Sequence, residues 1–378
     1  MKIEIKNKPK NKEKYKLRKA VKTGYTLGFV GGLIASHIFS EVGDWFTNRI
    51  NPKEKDIDFP PSISKEMEKE EFTKGDSWKP SGSNGKYQIV DISSFQGDVD
   101  VKVMKEHGVD GIIIKLFDAC FMDYPSDMLY ELDDQDNGRK VEELIKLCEE
   151  NDMPYGFYVF SRATTESMAQ QEAVKTLKFL SKFNARPTLP VYYDIEPFNQ
   201  PLYTPDYQYG KSGSDTYVDA GEFFRDHPDR VIANYKAFAD VLKAQGYYVG
   251  IYSNLECGFK VIDPTGDLLA SDALWISYYP SMRDIYGFEE VENDPSLAEP
   301  WPDDYNRDVG LYQFTETGHV EGVYEGGALD SLDMSYMYYN YVKTICDGGY
   351  NKPMDYSIFE NPNFHYTDLL PNKNIKNK

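Results

Sequence analysis

Two carboxylates one residue apart, Asp194 and Glu196, close the segment Leu189-Pro-Val-Tyr-Tyr-Asp-Ile-Glu-Pro197. In an extended strand, residues two apart point to the same face, so both side chains would leave the strand in one direction. Carboxylates that close oppose each other's ionisation, and one is pushed toward keeping its proton near neutral pH. Such a carboxyl can deliver a proton to a glycosidic oxygen. A second carboxylate can stabilise positive charge on the sugar, or orient a water or an acetamido group. Asp91, at the end of another apolar run, is a candidate for that second role. An Asp-x-Glu pair is most often a solvated edge. Here the apolar run before it and the proline turn after it argue for more.

Something must hold these groups together. From Tyr87 onward, short β-branched and aromatic runs recur: Gln88–Ile92, Gly111–Phe117, Tyr155–Phe160, Leu189–Ile195, Tyr248–Tyr252, Leu274–Tyr278, Gly310–Phe314 and Leu329–Met334. Helical patterns lie between several of them, clearest at Arg139–Glu150, Thr165–Lys182 and Arg230–Gln245. Alternation of this kind predicts an α/β fold with a mostly parallel sheet, and eight runs suit a closed, TIM-like (β/α) barrel. Asp91, Asp118, Ser161, Asp194 with Glu196, Tyr278 and Gln313 fall at or just past the carboxyl ends of their runs. Those ends form the catalytic face of such a barrel, so the polar residues should converge on one mouth.

The rest of the chain is read by composition. The formal charge of −20 hides an asymmetry: residues 1–22 carry +8, leaving about −28 for the remainder. An acidic body argues against nucleic acid as a partner. The basic stretch runs into the apolar segment Tyr25–Phe39, a pattern of export, with no A-x-A cleavage site and no lipid-accepting cysteine nearby. The expected organisation is a basic cytoplasmic stretch at 1–22, a transmembrane anchor or signal at 23–42 and a linker at 43–86. A barrel at 87–346 and a polar tail at 347–378 follow. This places the barrel outside a cell membrane, with secretion as the alternative. Four cysteines and five histidines show no metal-ligand spacing, so neither a metal nor a cofactor is expected. Thirty tyrosines supply rings that could stack on sugars, although most should pack the core. The long segments Phe198–Asp229, with Tyr203, Tyr207, Tyr209 and Tyr217, and Ser281–Asp308 could wall a cleft or be surface decoration.

Seven motifs occur in an order that resembles glycoside hydrolase family 25: Asp91-Ile-Ser-Ser-Phe-Gln-Gly97, Gly111-Ile-Ile-Ile-Lys115, Gly156-Phe-Tyr158, Tyr193-Asp-Ile-Glu196, Leu274-Trp-Ile-Ser-Tyr278, Tyr312-Gln-Phe-Thr315 and Leu332-Asp-Met334. The resemblance covers about residues 87–345 and implies an N-acetylmuramidase on a somewhat irregular barrel, acting on peptidoglycan glycan strands. It makes Glu196 the proton donor and Asp194 its partner, with Asp91 and Asp333 lining the same pocket. Tyr158, Asp118, Tyr278, Gln313 and Tyr193 form the expected substrate-binding set. Three stretches depart from the family pattern. Lys115-Leu-Phe-Asp118-Ala replaces a Lys-Ala-Thr-Glu-Gly-like stretch, Val159 stands where a pocket histidine is expected, and Tyr312-Gln-Phe314 replaces Trp-Gln-Tyr. The rival expectation is a catalytically weak glycan-binding or scaffolding protein within an envelope assembly.

Overall fold

The eight apolar runs all form strands: β1 Tyr87–Ile92, β2 Gly111–Asp118, β3 Tyr155–Phe160, β4 Val191–Asp194, β5 Val249–Asn254, β6 Ala273–Ser277, β7 Leu311–His319 and β8 Leu332–Met337. They come from a computed structural model that describes residues 77–93, 95–119, 135–197, 201–203, 217–266, 269, 273–299, 309–324 and 331–371. The basic stretch, the apolar segment at 23–42 and the linker up to residue 76 lie outside the described residues. Among those described, no helix is long and apolar enough to cross a membrane.

Strands β1 to β7 are parallel neighbours in chain order, and β8 closes the sheet by pairing with both β7 and β1. Closure leaves the barrel without an open edge. The expectation of a mostly parallel sheet holds for seven strands, but β8 runs antiparallel to both its neighbours. A parallel return needs a crossover, usually a helix. Between His319 and Leu332 the described residues contain only a turn and an isolated bridge, Val99 to Val323. The reversal matters because the start of β8, not its end, then lies level with the carboxyl ends of the other strands.

Outside the barrel pack α1 (Val101–Glu106), α2 (Gln135–Glu150), α3 (Glu166–Lys182) and α4 (Pro228–Ala244). Asp100 caps α1 by accepting from Val103 N, and Thr165 caps α3 by accepting from Met168 N. Strand alternation divides the apolar residues into two cores. Val90, Ile112, Phe157 and Tyr193 face the helices, whereas Ile89, Ile113, Tyr192, Tyr252, Trp275, Leu311 and Met337 fill the lumen. Gly250 permits the lumen packing, since a Cβ there would stand 2.5 Å from the Tyr192 ring.

Two polar segments read as linker and tail turn out to be packed. Trp78, within the expected linker, stacks on Tyr87 at 3.8 Å and joins the lumen core from its amino-terminal end. Its indole N–H donates to Asp110 O at 3.2 Å, and Ser81 donates its backbone N–H to the Asp110 carboxylate. Helix α5 (Tyr341–Gly348), delivered there by the reversed β8, contributes Tyr341, Val342 and Ile345 to the same core. In the expected tail, buried Asn351 accepts from Tyr248 N at 2.7 Å and donates to Pro187 O at 2.8 Å. Tyr366 and Ser167 share a hydrogen bond at 3.0 Å between their hydroxyls. Composition concealed this because isolated aromatic contacts and side-chain hydrogen bonds, rather than long apolar runs, hold these segments.

The two long insertions are only partly described. Residues Pro201–Tyr203 and Tyr217–Asp219 pair as a small antiparallel hairpin, while Tyr207 and Tyr209 fall outside the described residues. In the second insertion, Ile285–Tyr286 adds a short strand beside the end of β7, followed by a helix at Phe288–Asn293. Cys148, Cys257 and Cys346 are free thiols.

Candidate active site

The period of two along each strand decides which polar groups enter the lumen. Tyr192 and Asp194 point inward from β4, so Tyr193 between them points out. On β1 the inward positions are Ile89 and then Asp91; on β7 they are Leu311 and then Gln313. Asp91 on β1 lies directly opposite Asp333 on β8 in antiparallel register. A β-bulge between Lys115 and Phe117 shifts the alternation of β2, so Lys115 and Asp118 both reach the mouth while Phe117 packs outward.

Gln313 is the hub of this layer. Its Nε2 donates to Asp91 Oδ2 and to Asp333 Oδ2, each at 3.0 Å. Its Oε1 accepts the hydroxyls of Tyr252 and Tyr279, each at 2.7 Å. Every amide hydrogen and both oxygen lone pairs are therefore engaged. Below the carboxylates lies an aromatic floor. Trp275 sits 4.6 Å from Tyr252, 5.1 Å from Tyr192 and 6.0 Å from Tyr158, ring centre to ring centre.

Removal from water and crowding of like charges set the protonation of this layer. Burial, countered by the Gln313 hydrogen bond and reinforced by the charge of Glu196, pushes Asp91 up to about 7. Burial and then the Asp91 charge hold Asp333 well above the usual carboxylate range. Burial and then Glu196 do the same for Asp194. Burial also pushes Glu196 up to about 7, against the opposing pull of Lys115 and Arg162. Asp194 is 3 % exposed, yet its Oδ1 has no hydrogen-bond partner among the described residues. Ile195, between the two acids, is tied down: its N–H donates to Tyr252 O at 3.1 Å and its carbonyl accepts from Ser253 Oγ at 2.6 Å. Glu196 thus leaves a fixed backbone two residues beyond the strand end.

A cationic pair flanks the acids. Lys115 Nζ lies 3.6 Å from Asp118 Oδ2, and Arg162 Nε lies 3.4 Å from Asp118 Oδ1. Both cations cover the Phe160 ring, at 4.9 Å and 4.7 Å from its centre. Asp118 is accordingly a bridge between cations at the mouth. Tyr158 is surrounded by the acids: after burial, the charges of Asp91, Asp194, Asp333 and Glu196 all raise its hydroxyl.

Two expected substrate-binding residues are elsewhere. Tyr193 is 0 % exposed on the helix side of β4, where its hydroxyl donates to Glu172 Oε2 at 2.7 Å and its ring lies 4.3 Å from Phe238. As the neighbour of inward Asp194 it had to face outward. Tyr278 is half-buried against the outer core, and it is Tyr279 that reaches Gln313. Counting in twos from inward Trp275 through Ser277 leads to 279, a signal available in the sequence. Lys115, Arg162 and Tyr252 also line this layer. Arg162 carries no periodic signal in the sequence, because it follows its strand in an irregular turn. Val159, in place of an expected pocket histidine, is buried in the outer core, so that replacement leaves the lumen untouched.

Residues 132–323, just over half of the chain, match the family described as glycosyl hydrolases family 25. The matched stretch contains Asp194, Glu196 and Gln313; Asp91 and Asp333 lie outside it and join through strand pairing. No curated protein matches the sequence. Similar solved structures include the modular autolysin LytC from Streptococcus pneumoniae, at 21% identity and a TM-score of 0.47 over 68% of this chain and 48% of that one. The chain thus spans about half the length of that autolysin. The catalytic domain of the endolysin ply40, from bacteriophage P40 of Listeria monocytogenes, is 19% identical with a TM-score of 0.46, covering 70% of this chain and 99% of that one. A family 25 glycosyl hydrolase from Bacillus anthracis is 16% identical with a TM-score of 0.42, covering 72% and 97%.

Proposed function

Because the chain belongs to glycosyl hydrolase family 25, we propose that it hydrolyses peptidoglycan glycan strands at the β-1,4 bond between N-acetylmuramic acid and N-acetylglucosamine. The observation that carries this reading is the geometry at the end of β4. Glu196 leaves a backbone fixed through Ile195, with Lys115 and Arg162 at the mouth beside it, and Asp194 is buried with Oδ1 unengaged among the described residues.

In this reading Glu196 gives its proton to the leaving sugar's oxygen as the bond to the anomeric carbon breaks. Asp194 Oδ1 accepts a hydrogen bond from the acetamido N–H of the sugar, or from the incoming water, as positive charge develops on the ring. Water supplies hydroxide to the anomeric carbon, and the one proton it loses passes to Glu196, which is thereby restored. Asp91, Asp333 and Gln313 form a fixed polar wall that keeps negative charge beside the ring without reorganising. The half-buried Tyr158 and the hydroxyl of Tyr279 complete the lining. The basic stretch and apolar segment at the amino terminus support a barrel held outside the membrane, facing the wall. A mature chain beginning beyond Phe39 contradicts the anchor.

The test is digestion of purified peptidoglycan by the full chain, with reduction and mass analysis of the released fragments. New reducing ends on muramic acid are expected. Ends on N-acetylglucosamine contradict the bond assignment, and binding without new ends contradicts the hydrolase reading.

A further inference from the structure

Glu172 lies on α3, outside the barrel, and is fully buried. A buried carboxylate is costly unless its oxygens are well supplied with donors. Here Oε2 accepts the Tyr193 hydroxyl at 2.7 Å and the Ser161 hydroxyl at 2.8 Å, and Oε1 accepts the backbone N–H of Arg162 at 3.0 Å. All three donors belong to β4 or to the turn that follows β3. The turn is held from other sides as well. Ser161 N donates to Asp194 O at 2.8 Å, and Asn234 on α4 donates to Ala163 O at 3.0 Å. Arg162 emerges from this clamp toward the mouth, across Phe160 and onto Asp118.

We propose that Glu172 is a positioning residue: by gripping the backbone of Arg162 from outside the barrel, it fixes the guanidinium that flanks the acid Glu196. This rests on the hydrolase reading given above. A long, flexible arginine held only at its tip would sample many positions, whereas one with a fixed backbone keeps its charge where the mouth needs it. Glu196 is faced by Lys115 and Asp118 from β2, and by Tyr158 and Arg162 from β3 and its turn. Asp194, Asp91, Asp333 and Glu316 face it from β4, β1, β8 and β7, with Tyr252 and Tyr279 completing the ring. Among the described residues, only Lys115 and Arg162 are cations in that set, so losing the position of one leaves the acids poorly balanced. A released Arg162 lets Glu196 hold its proton to higher pH.

The experiment follows the Glu196 carboxyl by carbon NMR in the full chain labelled at glutamate, assigned by its disappearance in Glu196→Gln, alongside the pH profile of peptidoglycan cleavage. In Glu172→Gln the Glu196 titration and the alkaline limb of kcat/KM both move upward by at least about half a pH unit. Arg162→Gln moves them in the same direction, and the double variant moves them no further than Arg162→Gln alone. An unchanged Glu196 titration in folded Glu172→Gln, or shifts that add in the double variant, overturns the proposal. If Glu172→Gln does not fold, Tyr193→Phe removes one of the three donors and keeps the ring. A smaller upward shift is then expected, and none overturns the proposal. Absence of cleavage by the unaltered chain is a failure of the hydrolase reading, and the titration still reads the positioning claim separately.

Discussion

Asp91 and Asp333 stand opposite each other across the seam where β8 closes the barrel, and one amide, that of Gln313, donates to Oδ2 of both at 3.0 Å. The two carboxyls also hydrogen-bond each other, with Asp333 held up and Asp91 held down by that contact. Two acids in one buried layer cannot both ionise cheaply, and both are held above the usual carboxylate range. Reversal of β8 makes this possible, since it brings the start of the last strand to the mouth.

Gln313→Leu removes both donors while preserving volume. Hydrogen bonds to charged groups contribute about 1.5–3 kcal/mol each, so kcat/KM should fall by about ten- to a hundredfold or more. The same change frees Asp91 from a contact that lowers it, so the acid limb of the pH profile should move upward. Steady-state rates on peptidoglycan across pH check both. An unmoved acid limb counts against an ionised Asp91 in the reaction.

Stability should fall as pH rises. Asp91, Asp194, Glu196 and Asp333 all bind protons more tightly in the folded chain than their usual values. The folded state then carries more protons than the unfolded state between about pH 4 and pH 7, and stability declines across that window. Any stabilisation is complete below the unfolded values and lost as pH passes the folded ones. Thermal unfolding from pH 4 to pH 8 should show Tm falling, with Asp333→Asn flattening the fall. A Tm that rises through this window contradicts the account.

Neighbouring tyrosines should behave differently. Tyr279→Phe deletes a hydroxyl bonded to Gln313 in the lumen and should lower kcat by about tenfold, in keeping with the loss of one buried hydrogen bond. Tyr278→Phe, on the outer side, should leave kcat within about twofold. Equal losses in the two variants contradict the placement.

Trp78→Ala should destabilise the barrel by about 3–5 kcal/mol, as large-to-small changes of buried aromatics do. It removes the ring stacked on Tyr87 at the closed end of the lumen, far along the strands from Glu196. Denaturant unfolding reads the loss, while activity per folded molecule at low temperature should be retained. A chain beginning at Tyr87 should fare worse still, since it also loses the Ser81 contacts to Asp110.

Strand positions were legible because covered strands must be apolar on both faces, and all eight runs became strands. That Asp194 and Glu196 share one face was legible because strand alternation is a local rule. Tyr193 and Tyr278 were misplaced because a residue beside an inward one was counted with it; the same rule, applied strictly, points to Tyr279. The direction of β8 was not legible, since pairing sense depends on the connection before it rather than on the strand itself. Nor was the role of residues 77–86 or of Asn351. Their hydrogen bonds run to backbone groups distant in sequence, which composition does not report.

In the proposed reaction Glu196 is the proton donor of a carboxylate layer at the barrel mouth. The most direct measurement is kcat/KM of Glu196→Gln on purified peptidoglycan beside the unaltered chain, with binding measured by cosedimentation. A loss of at least about a hundredfold is expected, the scale of a missing general acid, with binding kept. Cleavage within about tenfold of the unaltered chain would contradict it.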